Sequence, residues 1–394
     1  MVLDRIPAEV ELDESQLMDI IDDSIVKENE DTYVRYRDKK RLRREIYNSM
    51  RRLDVLQDLI ENEEITEIMV NGPKHIFIEK EGRLTETGLE FESVERLNDI
   101  AQQIASAGNR IVNETNPILD VRLADGSRVN IVMPPIALEG PVITIRKFPK
   151  DPLTMEKLIE MGAITEEADR VLKKLVEARY NIFISGGTGA GKTTFLNILS
   201  NYIPAEERII TVEDSAELQI RRVKNLVRLE ARNANVEGKN QVTIRDLIKS
   251  ALRMRPDRIV VGEIRDATAI DMLTAMNTGH DGSLSTGHAN SPADMLSRLE
   301  TLVLMGMDIP LEAVKQQISS AIDIVVHLGR LRDKSRKVLE ICEVGPVEQG
   351  KIRLFPLFRF EEEGERTGRV NGSLKDMGHD LIRNDKCIKA GIRL

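Results

Sequence analysis

The chain has 394 residues, 41% hydrophobic and 31% charged, which is enough for two or more separately cored domains and reads as soluble and globular. No apolar stretch approaches the roughly 20 residues that span a bilayer, and the opening Met-Val-Leu-Asp-Arg-Ile-Pro lacks the layout of a signal peptide, so a cytoplasmic location is expected. A net charge of -9, 3% aromatic residues and no Trp weigh against an extended nucleic-acid surface, and two cysteines, Cys342 and Cys387, can frame neither a disulfide scaffold nor a zinc ribbon.

Residues 1–62 read as a charged helical leader, with Leu17, Ile20, Ile21 and Ile25 and then Leu53, Leu56 and Ile60 at helical spacing. Within it, the basic run from Lys39 to Arg44 and Arg51-Arg52 follows an acidic stretch. A solvated, salt-bridged helical face is the reading preferred to a lipid or nucleic-acid patch. Residues 63–148 then switch to short β-rich runs broken by turns. Strands are expected near 67–70, 76–79, 119–123, 128–133 and 142–148, and a helix opens at Ser93 and closes near Gly108. This pattern describes a compact α+β domain. Pro149 to Leu153 reads as a linker, and 154–345 as a second domain in which strand-like runs at 182–184, 208–212 and 258–261 alternate with helical ones, as in a parallel sheet with crossover helices. Thr243 and Asp246 have capping-box spacing. Residues 346–394 begin with strand-like pieces and pass into a polar tail whose fold the sequence leaves open.

The richest stretch is Gly186-Gly187-Thr188-Gly189-Ala190-Gly191-Lys192-Thr193-Thr194, which fits Gly-x-x-x-x-Gly-Lys-Thr and lies between an apolar strand and a helical run. Glycines let backbone N–H groups curl round phosphates, the new helix aims its positive end at them, and Lys192 reaches the terminal phosphates. ATP and magnesium are the expected ligands, with the Thr193 hydroxyl on the metal.

Hydrolysis needs an acid that orients water. Two apolar strands end in one: 209–212 runs into Glu213-Asp214, and 259–261 runs through Gly262 into Glu263. In a parallel sheet both would emerge beside the phosphate loop. Glu263 is the better general base. Gly262 stands where many phosphate-loop enzymes carry a metal-orienting Asp, so Glu213 or Asp214 is expected to help magnesium through water. Residues 278–290 carry His280 and His288 amid small and polar residues, a spacing that fits no metal site. For His280 a satisfied structural role is as good a reading, whereas His288 is placed to sense a terminal phosphate or to bridge to Glu263. Arg122, Arg128 and Arg146 fall on strands of the first domain. They are either ordinary surface arginines or, if they reach a nucleotide, groups that neutralise transition-state charge.

Taken together, these residues resemble the secretion and pilus-assembly ATPases of type II and type IV systems. Four boxes follow one another in order: 186–194 as Walker A, 211–218 as the aspartate box, 258–266 as an atypical Walker B with Gly-Glu, and 278–290 as the histidine box. Finer similarity, through Ile65-Thr66-Glu67-Ile68-Met69-Val70-Asn71-Gly72, Asp125-Gly126-Ser127-Arg128-Val129-Asn130 and Ser297-Arg298-Leu299-Glu300-Thr301-Leu302, is to the CpaF branch, which powers tight-adherence (Tad) pili. The resemblance covers about 48–344. It implies an α/β fold: a RecA-like P-loop domain with a parallel sheet, preceded by a smaller α+β, PAS-like domain and the helical leader. It further implies a homohexamer with ATP held between the two domains, and inner-membrane platform proteins as partners at the cytoplasmic face. By the same resemblance Glu263 is the catalytic glutamate, Glu213 the supporting carboxylate and His288 the second histidine of its box, while Arg122, Arg128 and Arg146 contact phosphates, partly across the interface. A conjugative or effector-secretion ATPase would share every box. A RecA-like nucleic-acid translocase and a nucleotide-gated scaffold without turnover are the rivals from other classes.

Overall fold

In a computed structural model the described residues are 13–28, 35–80, 82–148, 152–232, 240–364, 368 and 370–393. The chain divides into two compact units, Met1–Lys150 and Asp151–Leu394. Residues 149–151 of the expected linker lie outside the described residues.

The first unit opens with α1 (Glu14–Glu28) and α2 (Tyr36–Arg51), a pair closed by Leu17, Ile21 and Ile25 against Leu42, Ile46, Tyr47 and Met50. The basic run is largely neutralised: Arg43 meets Asp22 at 3.0 Å, while Arg44 meets Asp58 at 2.7 Å and Glu61 at 2.8 Å. After α3 (Leu56–Glu61) come β1 (Ile65–Asn71), β2 (Ile76–Lys80), β3 (Arg83–Glu86), α4 (Val94–Ala107), β4 (Ile118–Arg122), β5 (Arg128–Val132) and β6 (Val142–Arg146). The strands form one sheet in the order β3-β2-β1-β6-β5-β4, antiparallel throughout. Ser93 caps α4 by accepting from the Arg96 N–H, and Gly108 ends it, as the sequence suggests. Leu97, Ile100 and Ile104 of that helix share a core with Ile68, Val70, Val129, Ile131, Ile143 and Ile145, the alternate positions of the central strands. β3 escapes the sequence reading because all four of its residues are exposed, so it carries no apolar alternation to detect.

The second unit runs α5 (Met155–Glu160), α6 (Glu166–Glu177), β7 (Ile182–Gly186), α7 (Lys192–Ser200), β8 (Arg208–Glu213), β9 (Asn225–Glu230), α8 (Ile244–Ala251), β10 (Arg258–Val261), α9 (Ala269–Asn277), β11 (Leu284–His288), α10 (Pro292–Leu304), α11 (Leu311–Ala321) and β12 (Ile324–Arg330). It continues with β13 (Arg336–Glu348), β14 (Lys351–Glu362), β15 (Gly372–Asp376) and α12 (Asp385–Ala390). One sheet of nine strands results, in the order β15-β14-β13-β12-β7-β11-β10-β8-β9. From β12 to β9 its neighbours are parallel, and from β12 to β15 they are antiparallel.

Both faces are covered, which is why β7 and β10 are buried at every position and read as unbroken apolar runs. Ile182, Ile184, Val260, Ile324 and Val326 pack with α6 and α7, while Phe183, Ile210, Ile259, Val261 and Val325 pack with α8 to α11. The capping box at Thr243 and Asp246 is formed in both directions. At the base of β10 the fully buried Arg258 donates to Glu207 at 2.6 and 2.8 Å and to the Val176 carbonyl at 2.6 Å.

The segment left open by sequence becomes sheet. Pro356 breaks the pattern within β14 because it sits opposite Cys342 at a register shift, where a missing N–H is tolerated. The polar end is tied down by Lys386, whose ammonium lies 2.7 Å from both Asp323 and Asp281. Among the described residues, no helix is long and apolar enough to cross a membrane.

Candidate nucleotide site

The site is built where β7 gives way to α7. Gly191 precedes the helix at φ +94, a left-handed conformation that glycine adopts without steric cost. No side chain caps this helix, so the N–H groups of its first turn are left for a ligand. The Lys192 ammonium stands 3.1 Å from the Gly187 carbonyl and 3.2 Å from His288 Nδ1. A Cβ built on Gly187 or Gly189 would meet nothing within 4 Å, so the outer rim of the loop is open. The Thr193 side chain makes no hydrogen bond among the described residues. Open glycine rim, bare helix terminus, ammonium and hydroxyl together fit a polyphosphate with magnesium.

Parallel pairing delivers the other groups to the same end of the sheet. His288 is in register with Gly186, Val261 with Val212, and Ser285 with Val261. Glu213, Glu263 and His288 therefore all leave carboxyl ends of strands beside the loop. His288 Nε2 lies 2.8 Å from Glu263 Oε1, and Arg265 donates to Glu263 Oε2 at 2.7 Å. An ammonium only donates, so Nδ1 facing Lys192 must offer its lone pair and Nε2 must carry the hydrogen. Nε2 stands close to Glu263 Oε1, yet among the described residues that buried oxygen accepts no hydrogen bond, which leaves it available to a water. Burial, and then the Lys192 charge, hold the His288 pKa below that of an ordinary imidazole, which agrees with this neutral tautomer. The hydrogen bond that Arg265 donates to Glu263 raises the pKa of its guanidinium.

Glu213 is placed differently. It is buried, and its carboxylate accepts from the backbone N–H groups of Glu217 and Leu218. Burial lifts its pKa to about 7 against those hydrogen bonds. Its Cγ lies 3.2 Å from where a Cβ on Gly262 would stand, so Glu213 occupies the space that a side chain at 262 would need. Asp214 is more exposed, with Arg265 at 3.9 Å.

His280 precedes β11, so it stands at the other end of the strand from His288, where its Nδ1 lies 3.1 Å from the Pro256 carbonyl. In the first unit, Arg122 is directly opposite Arg128, and Arg128 opposite Arg146. The three thus share one sheet face in a row across β4, β5 and β6, turned away from the face on which Val129 and Ile145 are buried. Two basic residues at the site carry no assigned role in the sequence reading. Arg265 was legible as part of the 258–266 box. Arg336 was not: its Nε donates to the Gly189 carbonyl at 2.8 Å from a position 147 residues away. Behind the loop, Ser185 Oγ and His327 Nδ1 are 2.9 Å apart and buried, joining β7 to β12.

With this geometry in hand, the comparisons agree with one another. Residues 48–372 match the family model described as type II/IV secretion system protein. A Mycobacterium tuberculosis protein named for conjugal transfer is 34% identical over 338 residues, 84% of this chain and 93% of the relative. The type IV secretion system protein VirB11 of Bartonella henselae is 30% identical over 327 residues, 74% of this chain and 91% of the relative. Among solved structures, the DotB ATPase of Legionella pneumophila matches with TM-score 0.52 and 23% identity, over 72% of this chain and 78% of that chain, a likeness of fold. The chain is a member of the type II/IV secretion system protein family.

Proposed function

We propose that the protein is a motor ATPase that hydrolyses ATP to drive pilus assembly or secretion. The observation that carries this reading is the linked set Lys192, His288 and Glu263, with spacings of 3.2 and 2.8 Å at the open phosphate loop. Lys192 and the first turn of α7 hold the phosphates. Glu263 orients the attacking water and accepts its proton, held on one oxygen by Arg265 while the other, 2.8 Å from His288 Nε2, has no hydrogen-bond partner of its own among the described residues. Thr193 would hold magnesium, which when bound neutralises phosphate charge. Glu213 acts through the segment it buckles, by keeping the backbone at 217 and 218 in place. To Arg122, Arg128 and Arg146 we assign neutralisation of charge on a nucleotide's phosphates, which their shared row supports.

By family likeness the working assembly is a homohexamer at the cytoplasmic face of the membrane, acting on inner-membrane platform proteins, with no nucleic acid required. The names of the M. tuberculosis and B. henselae relatives favour a conjugative or type IV secretion role as the second reading. Glu263→Gln tests the chemistry. Turnover should fall at least about a hundredfold while ATP still binds with near wild-type affinity. Unchanged turnover removes Glu263 from its role, and stimulation by single-stranded DNA in place of the platform protein would favour a translocase.

A further inference from the structure

The β12–β13 hairpin brings a cation to the phosphate loop from the flank opposite the acids. β12 runs parallel to β7 and pairs Leu328 with Gly186, so the chain passes the loop before it turns and returns with Arg336 as the first residue of β13. The turn is closed by the Leu331 N–H donating to the Ser335 carbonyl at 2.8 Å. Asp333 holds it further, accepting from the Ser335 N–H and hydroxyl and from the Val370 N–H at 3.0, 2.6 and 2.9 Å. Arg336 is therefore presented by a braced hairpin. Its Nε reaches the Gly189 carbonyl at 2.8 Å, and its Cδ lies 3.7 Å from where a Cβ on Gly191 would stand. Arg336 makes no ion pair among the described residues, and the residue directly across the hairpin is Arg330, a like charge. One nitrogen of the guanidinium is engaged with the loop, which leaves the rest of the fork for an anion or a sugar hydroxyl.

Sheet order says which part of a nucleotide that would be. In β13-β12-β7-β11-β10 the loop follows the central strand, Glu263 and His288 come from the β10 and β11 side, and Arg336 comes from the β12 side. The bond that is broken must face Glu263. What faces Arg336 is then the end remote from it.

We propose that Arg336 is a nucleotide-positioning residue that bridges the Gly189 carbonyl and the α-phosphate and sugar of the bound nucleotide, and so grips ATP and ADP alike. This rests on the ATPase reading of the loop, and the experiment separates the two. Affinities of the full chain for magnesium-ATP, magnesium-ADP and magnesium-pyrophosphate are measured for wild type, Arg336→Ala and Arg336→Lys. Arg336→Ala should weaken ATP and ADP equally, by about tenfold, and leave pyrophosphate unaffected. Arg336→Lys should recover part of the loss, since it keeps the charge without the planar fork. The KM for ATP should rise with the dissociation constant, while kcat changes less. Equal nucleotide affinities in wild type and Arg336→Ala overturn the proposal. So does a loss confined to ATP, or one shared by pyrophosphate, because either moves the contact to the terminal phosphates. A wild-type chain that binds none of the three would instead overturn the ATPase reading beneath it.

Discussion

His288 stands between the loop lysine and Glu263, the general base proposed above, and accepts from Lys192 only as a neutral imidazole, which makes the contact sensitive to pH. Its pKa lies below the ordinary value of roughly 6.5 because burial and Lys192 oppose the charge. As pH falls below about 6.5, a denatured chain takes up the proton that the native site refuses, so stability present above that pH is lost on acidification. Once His288 is protonated, Nδ1 no longer accepts from Lys192. ATPase activity at saturating ATP should therefore decline on the acid side, and His288→Asn should lower turnover about 10- to 100-fold and flatten that limb. Parallel acid limbs in the two proteins would remove His288 from the pH response. At this scale the sequence was legible wherever placement depends on neighbours in the chain: the loop from Gly186 to Thr194 between its strand and helix, and Glu263 just after its strand. It was silent on Ser185 with His327, which are 142 positions apart and meet only through the pairing of β7 and β12.

Among the elements, β10 depends on an ion pair that no apolar pattern announces. Arg258 is fully buried and Glu207 nearly so, and two hydrogen bonds join them. Removing one partner leaves the other charge stranded in a dry environment. Arg258→Ala should cost about 3–5 kcal/mol in chemical denaturation. The double change Arg258→Met with Glu207→Leu should recover much of that, because an apolar pair avoids the desolvation cost. A loss below about 1 kcal/mol would show that Arg179, 3.3 Å from Glu207, takes over the partnership. Elements with a buried face were readable from periodicity and caps, α4 between Ser93 and Gly108 and α8 behind Thr243 among them. Edge pieces were not. β3 is exposed throughout and β9 is exposed or half-buried throughout, so each lacks the alternation that marks a strand.

For the molecule as a whole, the proposed ring makes subunits interdependent, and this can be measured without knowing the platform. Adding Glu263→Gln subunits to wild type at constant total concentration should reduce ATPase activity more steeply than the wild-type fraction falls, because one silent site stalls its neighbours. A strictly linear decline would mean that each chain works alone. The pathway served is not legible from these residues, since the loop, acid and histidine boxes carry out the same chemistry in pilus and secretion machines. The arginine row in the first unit has a consequence away from catalysis. Like charges set opposite one another across β4, β5 and β6 repel, and any bound polyanion relieves that repulsion in the native state alone. By mass action, inorganic triphosphate at about 100 times its dissociation constant should then stabilise this unit by about 2.7 kcal/mol. Its melting temperature becomes a gauge of anion occupancy, one that Arg128→Ala should blunt whether or not any ATP is hydrolysed.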